Sequence, residues 1–391
     1  MDDLGAALAG LDSEVISFAQ ELVRIKSYTG QEEEIIKFIE KRMLALGYDH
    51  VVVDGMGNCI GVIGNGDTKI LFDSHADTVR VDDRRDWTVD PFGGEIRDGK
   101  LYGRGSVDMK SALAASVYAG SAIKRLGLDA GKTIYVCASI MEEDYDGENL
   151  SYIFRTGAIR PDYVVICEAT TCRVCLGQKG RALFKVDLEG VSAHGSAPER
   201  GVNPIYKMGE IIRRVEALNS ELAQGEGEHG TIALTKIECD AASLNAIPSR
   251  VSLYIDRRLV AGEDRAVIER EMNTLIAGAD AAWSVYQVVG TSWTGLDVCL
   301  DSFLPAWEIS LDHPLTRAAF AACTKVLGQT TDTTKWDFST NGVASAKLGI
   351  PTIGYGPGDS KLAHMKDEYC PVDDITKALW YYVEMIRAIQ D

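Results

Sequence analysis

The stretch KILFDSHAD, from Lys69 to Asp77, decides how this chain is organised. It is an apolar run that predicts a buried strand and ends in Asp73, His75 and Asp77. Side chains two positions apart in a strand share a face, so these three are expected to point the same way at the strand's end. Such a histidine can bind a metal while a nearby carboxylate orients its ring. Taken alone, this motif is more commonly a polar turn that closes a strand. Further candidate ligands elsewhere in the chain are therefore needed to decide between a turn and a metal site.

The composition bounds the class of protein. The chain has 391 residues, 46% hydrophobic and 25% charged, which suits two globular domains or one large α/β unit. A formal net charge of -18 argues against nucleic-acid and anionic-membrane partners, because phosphate binding needs clustered Lys and Arg. The N-terminal MDDLGAALAG lacks the basic segment of a signal peptide, and no apolar run approaches the ~18 residues of a membrane span. Nine scattered cysteines suit a reducing compartment, so we expect a cytoplasmic protein.

The order of predicted elements indicates an α/β fold with an insertion. Before about residue 180, strands alternate with helices, which predicts a central mixed β-sheet flanked by helices. From Arg181 the pattern becomes strand, helix, two strands, helix and strand, which fits a small ferredoxin-like α+β domain. After about residue 300 the α/β pattern returns. We therefore expect one α/β domain formed by residues 1–180 and 297–391, interrupted by an inserted α+β domain at 181–296.

Further acidic residues lie near the ends of predicted strands or the starts of helices. Asp108, in GRGSVDMK, is expected in the first turn of an alanine-rich helix, where an acid also simply stabilises the helix dipole. Glu142 and Glu143 end a β-branched run. Because neighbours on an extended chain point to opposite sides, one can hold a metal while the other faces the bound water. Glu168 follows an apolar strand, and His364 supplies a late second histidine.

Each of these pieces alone also fits a solvated acidic turn or a strand end that meets solvent. Together they supply two histidines and a set of carboxylates, most of them at strand ends, where open α/β sheets place their sites. Imidazole and carboxylate ligands without thiolates suit zinc, cobalt or manganese.

The ordered motifs HAD, GRGSVDMK, EE, CEAT, HGSAPERG and a late histidine resemble the zinc-dependent aminoacylase, acetylornithine deacetylase and carboxypeptidase G family of metallopeptidases. The resemblance covers essentially the whole chain. Within that family, ICEAT, GQKGR and HGSAPERGVNPIYKM are most similar to the subgroup labelled selenium-metabolism-linked hydrolases. The resemblance implies a catalytic domain with an inserted lid and dimerisation domain, a homodimer, and two zinc ions per subunit with cobalt or manganese as substitutes.

The resemblance also implies a role for each site residue. Asp77 would orient His75, and Glu142 would be the general base that takes a proton from the metal-bound water and passes it to the leaving nitrogen. Asp108 would bridge the two metals. The implied metal ligands are His75, Asp108, Glu143, Glu168 and His364.

Four residues further along the chain complete the implied site. His194 would reach the active site of a partner subunit and stabilise the tetrahedral oxyanion, although a plain surface histidine in a loop fits its spacing too. Arg258, with Asn245 near it, would grip the carboxylate of the substrate. Gly356 belongs to a loop that would line the pocket.

The sequence thus predicts a dinuclear-metal hydrolase that cleaves the amide bond of a small carboxylate-bearing substrate. N-acyl amino acids, ureido acids and dipeptides are the candidate substrates. Ala169 and Gly195-Ser196 depart from the pattern of many relatives, which leaves the substrate open more than the chemistry. An exopeptidase or dipeptidase acting on short peptides is the alternative among enzymes. A non-catalytic relative that binds a small ligand or a partner protein is the alternative outside them, and it would have little reason to keep Glu142 with every ligand.

Overall fold

A computed structural model describes residues 10–157, 159–224 and 227–389 of the chain. Most of the N-terminal stretch in which no signal peptide was expected, residues 1–9, lies outside the described residues. None of the described helices is both long and apolar enough to cross a membrane. The helices are α1 (Asp12–Arg24), α2 (Glu33–Ala45), α3 (Ser111–Arg125), α4 (Glu142–Tyr145), α5 (Glu148–Arg155), α6 (Pro204–Leu222), α7 (Arg265–Ile276), α8 (Pro314–Leu327), α9 (Gly342–Lys347) and α10 (Val372–Ala388).

The strands form one large sheet, one smaller sheet and three short ribbons or meanders. In chain order they are β1 (His50–Val53), β2 (Cys59–Gly64), β3 (Thr68–His75), β4 (Glu95–Arg97), β5 (Lys100–Tyr102), β6 (Lys132–Ser139), β7 (Tyr163–Ile166), β8 (Val174–Gln178), β9 (Gly180–Glu189), β10 (Ala193–His194), β11 (Thr231–Cys239), β12 (Ala246–Ile247), β13 (Arg250–Leu259), β14 (Ala281–Val285), β15 (Gln287–Thr291), β16 (Asp297–Asp301), β17 (Phe303–Leu304), β18 (Trp307–Glu308), β19 (Thr333–Trp336), β20 (Thr352–Gly354) and β21 (Tyr369–Pro371).

The large sheet is mixed and has nine strands in the order β1-β2-β6-β3-β7-β20-β8-β18, with β19 paired to β8. Its four central neighbours, β6, β3, β7 and β20, run parallel to one another. The carboxyl ends of parallel strands meet at one edge of a sheet, and open α/β sheets place their sites at that edge. The central mixed sheet flanked by helices confirms the predicted fold class.

Helices α1, α3 and α10 cover one face of this sheet and build the main core with it. The alanine-rich α3 is buried along almost its whole length, so neighbouring helices pack closely against it. Helix α1 is amphipathic and buries one face in this core. The helix begins at Asp12 directly after Leu11, and no side chain caps it.

The second core belongs to a small sheet with the strand order β11-β13-β9-β14, covered by α6 and α7. Its elements follow one another as strand, helix, two strands, helix and strand, which matches the predicted ferredoxin-like pattern. The ribbon of β15 and β16 instead packs into the main core through Val298 and Leu300. The tip of this ribbon is anchored there too, because Trp293 Nε1 donates a hydrogen bond to the Gly57 carbonyl at 3.3 Å. The exact domain boundaries remain a prediction.

Candidate active site

The parallel strands bring five of the predicted site residues to one edge of the large sheet. His75 is the last residue of β3, and it lies opposite Ser139, the last residue of β6. Glu142 and Glu143 follow β6, Glu168 follows β7, and His364 lies in the segment after β20.

Asp108 reaches the same point from an irregular segment. We expected it in the first turn of the alanine-rich helix, but that expectation is wrong, because α3 begins only at Ser111. The backbone of Asp108 is non-helical, with φ -124° and ψ 90°, and its peptide bond to Met109 is cis. The Glu368 carboxylate accepts hydrogen bonds from the backbone N–H groups of Val107 and Asp108 at 2.9 and 3.2 Å. Asp108 therefore points into the site from a turn and not from a helix.

The carboxylate of Asp108 lies between the two histidines. His75 Nε2 is 2.9 Å from Asp108 Oδ1, and His364 Nε2 is 3.2 Å from Asp108 Oδ2. His75 Nε2 is also 3.2 Å from Glu168 Oε1, while His364 Nε2 is 2.9 Å from Glu143 Oε2. Each oxygen of Asp108 thus faces a different histidine, and each histidine has a second carboxylate of its own.

This donor set fits a pair of metal ions. Zinc binds imidazole nitrogen and carboxylate oxygen at about 2.0–2.2 Å, so its ligands lie roughly 3.3 Å apart in a tetrahedron. The nitrogen–oxygen distances of 2.9–3.2 Å between the histidines and their carboxylates are close to that value. Two groups, one of His75, Asp108 and Glu143 and the other of His75, Glu142 and Glu168, also have ligand atoms within 4.8 Å of one another.

The charges of the site point to the same conclusion. Burial raises the pKa of Glu142 and of Glu168, and it raises the pKa of Glu143 to about 8. Burial also acts to raise the pKa of Asp108, but hydrogen bonds from His364 and His75 outweigh it and hold that pKa well below its ordinary value. Crowded, buried carboxylates are costly without compensating charge, and bound cations supply that charge.

Glu142 and Glu143 differ from the prediction in their local structure. They were expected on an extended chain, but they form the first turn of the short helix α4. The reversal happens at Met141, whose φ of 58° and ψ of 25° are left-handed. Both glutamates still reach the cleft. Glu142 Oε2 is 3.9 Å from His75 Nε2, farther than Asp108 and Glu168 are, which suits a base beside the ligands.

Asp77 touches His75 mainly through its backbone. The Asp77 carbonyl oxygen is 3.0 Å from His75 Nδ1, whereas the Asp77 carboxylate is 3.6 Å from that nitrogen. A distance of 3.6 Å gives charge attraction but no hydrogen bond. The two carboxylate oxygens instead accept the backbone N–H groups of Glu142 and Glu143 at 3.0 and 3.2 Å. Asp77 therefore joins the first histidine to the pair of glutamates.

The cleft beside these residues has a volume of about 290 Å³. Its lining includes two guanidinium groups, Arg181 and Arg258, which are direct partners on the antiparallel strands β9 and β13. Direct partners in an antiparallel pair lie on the same face of the sheet. Arg181 is 2.9 Å from the buried Asp146, and Arg258 is 2.8 Å from Asp256.

Arg181 and Asp146 were missed by sequence reasoning. Asp146 belongs to an acidic run that reads as a solvated turn, and Arg181 is one of several basic residues near the start of a strand. The pairing of Arg181 with Arg258 depends on strand register, which their separation along the chain does not reveal. The remaining residues that line the cleft and were not foreseen are Phe338, Ser339, Ser360 and Ala363.

Three predicted residues lie elsewhere in the described part of the chain. His194 is exposed in a two-stranded ribbon, opposite Ala246, and Gly195 N donates to the Asn245 carbonyl at 2.7 Å. Asn245 precedes β13, and Arg258 lies near its end, about 26 Å of strand away from Arg250, so the two are not neighbours within one chain. Gly356 is buried behind Glu168 and does not line the cleft.

Comparison with known proteins gives the family. A profile described as Peptidase family M20/M25/M40 matches residues 71–388. "Uncharacterized protein YgeY" of Escherichia coli (strain K12) is 37% identical over 361 residues, covering 91% of this chain and 89% of that protein. An acetylornithine deacetylase of Erwinia tasmaniensis is 29% identical over 318 residues, covering 80% of this chain and 78% of that enzyme.

Solved structures share the fold. A tripeptidase of Staphylococcus aureus has a TM-score of 0.75 at 21% identity and covers 97% of this chain and 98% of its own. The YXEP protein of Bacillus subtilis, described as a dinuclear metal binding peptidase from the M20 family, has a TM-score of 0.70 at 15% identity, with coverage of 97% and 98%. The predicted resemblance and the assignment as a metal-dependent hydrolase of amide or peptide bonds are thereby confirmed, and the chain belongs to peptidase family M20/M25/M40.

Proposed function

We propose that this protein is a dinuclear-metal deacylase that hydrolyses the amide bond of a small N-acyl or ureido amino acid. The observation that carries the proposal is the arrangement around Asp108, whose two carboxylate oxygens each face a different histidine at 2.9 and 3.2 Å. A carboxylate whose two oxygens each lie beside a different histidine is suited to bridge two metal ions. Zinc is the metal we expect, with His75 and Glu168 on one side and Glu143 and His364 on the other.

Each residue of the site has its own role in hydrolysis. When bound, the two metal ions lower the pKa of a water molecule and polarise the scissile carbonyl. Glu142 takes a proton from the attacking water and delivers it to the leaving nitrogen. Burial raises the pKa of Glu142 above that of an ordinary carboxyl group, which makes its carboxylate a stronger base. Asp77 positions both His75 and Glu142, because its carbonyl oxygen contacts the His75 ring and its carboxylate accepts the Glu142 N–H.

The substrate carboxylate binds at the wall of the cleft that carries the two arginines. Arg258 and Arg181 line this wall side by side, and each is neutralised by a single aspartate. A guanidinium group binds a carboxylate through two parallel hydrogen bonds, which fixes its orientation as well as its position. The amide bond of a bound substrate then lies between this wall and Glu142. Within one chain, Arg181 occupies the place beside Arg258 at which Asn245 was expected.

His194 acts on the cleft of a second subunit in this proposal. It is exposed and lies outside the residues that line the cleft of its own chain, so within one chain it has no access to the substrate. A donor aimed at the carbonyl oxygen would stabilise the charge that develops there. The proposed homodimer through the inserted domain would supply it. Mixing inactive His194→Ala and Glu142→Gln subunits should restore partial activity, and the absence of recovery after confirmed subunit exchange would contradict a shared site.

The deciding experiment is a hydrolysis screen of N-acetyl, N-carbamoyl, N-succinyl and dipeptide substrates with metal-loaded protein. We expect cleavage of one acylated or carbamoylated class, lost on chelation and restored by zinc, cobalt or manganese. Cleavage of dipeptides alone would favour the exopeptidase alternative. Full activity in metal-free protein, or no cleavage by protein shown to contain metal, would contradict the proposal.

A further inference from the structure

The backbone that carries Glu142 is held by buried side chains from distant parts of the chain. Asn58 Oδ1 accepts the N–H of Ile140 at 3.1 Å, and Glu32 Oε1 accepts the N–H of Met141 at 3.1 Å. The next two N–H groups, those of Glu142 and Glu143, are bound by Asp77 as described above. Four consecutive backbone N–H groups, those of residues 140–143, therefore donate hydrogen bonds to the side chains of Asn58, Glu32 and Asp77.

These contacts hold a turn that is unfavourable by itself. Met141 follows β6 by two residues and adopts a left-handed conformation, with φ 58° and ψ 25°. Such a conformation is unfavourable in a residue other than glycine and persists where its surroundings determine it. The turn at Met141 redirects the chain from the strand into α4, so it decides where the Glu142 side chain points.

The Glu142 side chain has little else to fix it. Within the described residues its carboxylate forms no hydrogen bond, and the histidine nearest to it, His75, is 3.9 Å away. A general base must stand within hydrogen-bond reach of the proton it abstracts, and a misplacement of about 1 Å can cost ~10²-fold in rate. The position of this base therefore depends on its backbone.

Glu32 contributes to this turn although the burial of its carboxyl group is unfavourable. It is completely buried, immediately before α2, and its Oε1 accepts the N–H of Gly30 at 2.8 Å as well as that of Met141. Its other oxygen, Oε2, is buried without a hydrogen-bond partner in the described residues. A buried polar atom without a partner destabilises the folded state. A glutamine or a methionine would fill the same space, so packing alone does not account for a glutamate here.

We propose that Glu32 is a positioning residue for the general base: by accepting the Met141 N–H, it fixes the left-handed turn that aims Glu142 into the cleft. This inference rests on the proposed role of Glu142. Burial and the charge of Asp77 raise the pKa of Glu32 to about 8, so the group is mostly neutral at pH 7. Glutamine is then its closest replacement that keeps an acceptor oxygen, and methionine is the closest one that lacks it.

The test compares Glu32→Gln with Glu32→Met in the full-length, metal-loaded protein. We expect Glu32→Met to lose kcat by roughly 10²-fold at saturating metal with little change in KM, because the turn that aims the base is disturbed while the proposed carboxylate site is not. Glu32→Gln should keep most of the wild-type kcat. Glu32→Asp, whose side chain is one methylene too short to reach Met141, should behave like Glu32→Met if the latter fails to fold. Glu33→Gln, on the exposed start of α2, is the matched control and should leave kcat unchanged.

Hydrogen exchange supplies a readout that does not depend on activity. The Met141 amide should exchange slowly in the wild type and in Glu32→Gln, and at least 10-fold faster in Glu32→Met, as expected when its acceptor is removed. Unchanged exchange in Glu32→Met would contradict the contact itself. Equal kcat in Glu32→Met and Glu32→Gln would contradict the positioning role. If the wild type cleaves no substrate, the proposed function fails, and the exchange experiment still decides whether Glu32 holds the turn.

Discussion

Replacing Gly356 by alanine should damage the metal site without touching a ligand. A Cβ atom at position 356 would lie 2.3 Å from the Cys167 carbonyl oxygen and 2.4 Å from that of Glu168. Contacts of a real Cβ stay above 3.0 Å, so the backbone of the Glu168 segment would have to move by about 0.7 Å, the difference between 3.0 and 2.3 Å. Both obstacles are backbone atoms, which cannot swing aside as a side chain can.

Two costs follow from that displacement. Forcing extra atoms into a packed interior costs about 1–3 kcal/mol, so the melting temperature of Gly356→Ala should fall. The displacement also carries Glu168 away from His75, whose Nε2 is now 3.2 Å from the Glu168 carboxylate. Disturbing the support of a metal ligand weakens metal binding by about 10–100-fold.

Metal affinity measured by competition with a chelator, together with kcat at saturating metal, tests this reasoning. Gly209→Ala is the matched control, because a Cβ there meets no atom within 4 Å and the residue lies inside a helix. The control should bind metal as the wild type does. Wild-type metal affinity in Gly356→Ala would refute the idea that this glycine supports Glu168.

Three further predictions concern the base, the substrate and the pH dependence. Glu142→Gln should keep its metal ions, counted by elemental analysis, and lose kcat by about 10²–10⁴-fold; normal turnover would assign the base elsewhere. Arg258→Ala should raise KM by about 10–100-fold, as the loss of a hydrogen bond to a charged group worth about 1.5–3 kcal/mol predicts. Arg250→Ala, at the other end of the same strand, should leave KM unchanged, and an equal effect on a substrate whose carboxylate is amidated would contradict carboxylate binding. Because burial beside Asp77 raises the pKa of Glu32 to about 8, the folded state holds that proton more tightly than the unfolded chain does. The stabilising effect of Glu32 is thus complete at low pH and is lost as pH rises towards 8, so Glu32→Gln should gain in melting temperature relative to wild type between about pH 5 and 8. A constant difference over that range would contradict the raised pKa.

The convergence of the candidate ligands at strand ends could be predicted from the sequence because strand ends can be recognised locally. An apolar run followed by a histidine or glutamate predicts where the side chain emerges, and the parallel arrangement brings His75, Glu143 and Glu168 to one edge. Asp73, which precedes His75 by two residues, is not among these ligands, and its carboxylate accepts a hydrogen bond from Asn341 Nδ2 at 2.8 Å.

The rest depended on geometry that the sequence does not contain. Asp108 was assigned to a helix because GRGSVDMK precedes an alanine-rich run, and nothing in the run marks where the helix begins. The left-handed Met141 has no sequence signal, since glycine is the residue that usually marks this conformation. Arg181 and Asp146 meet across two different segments of the chain, so neither residue reveals the other.

The place where β9 leaves the main core determines how domain rotation would act on the site. Arg181 is the second residue of β9, and its cross-strand partner Arg258 is next to the last residue of β13, so both lie at the joint itself. His194 lies beyond the far end of β9, which spans about 33 Å over its ten residues. A rotation displaces each atom in proportion to its distance from the pivot. The arginine pair has a short lever arm and His194 a long one, so such a rotation would displace the two guanidinium groups little and His194 much more.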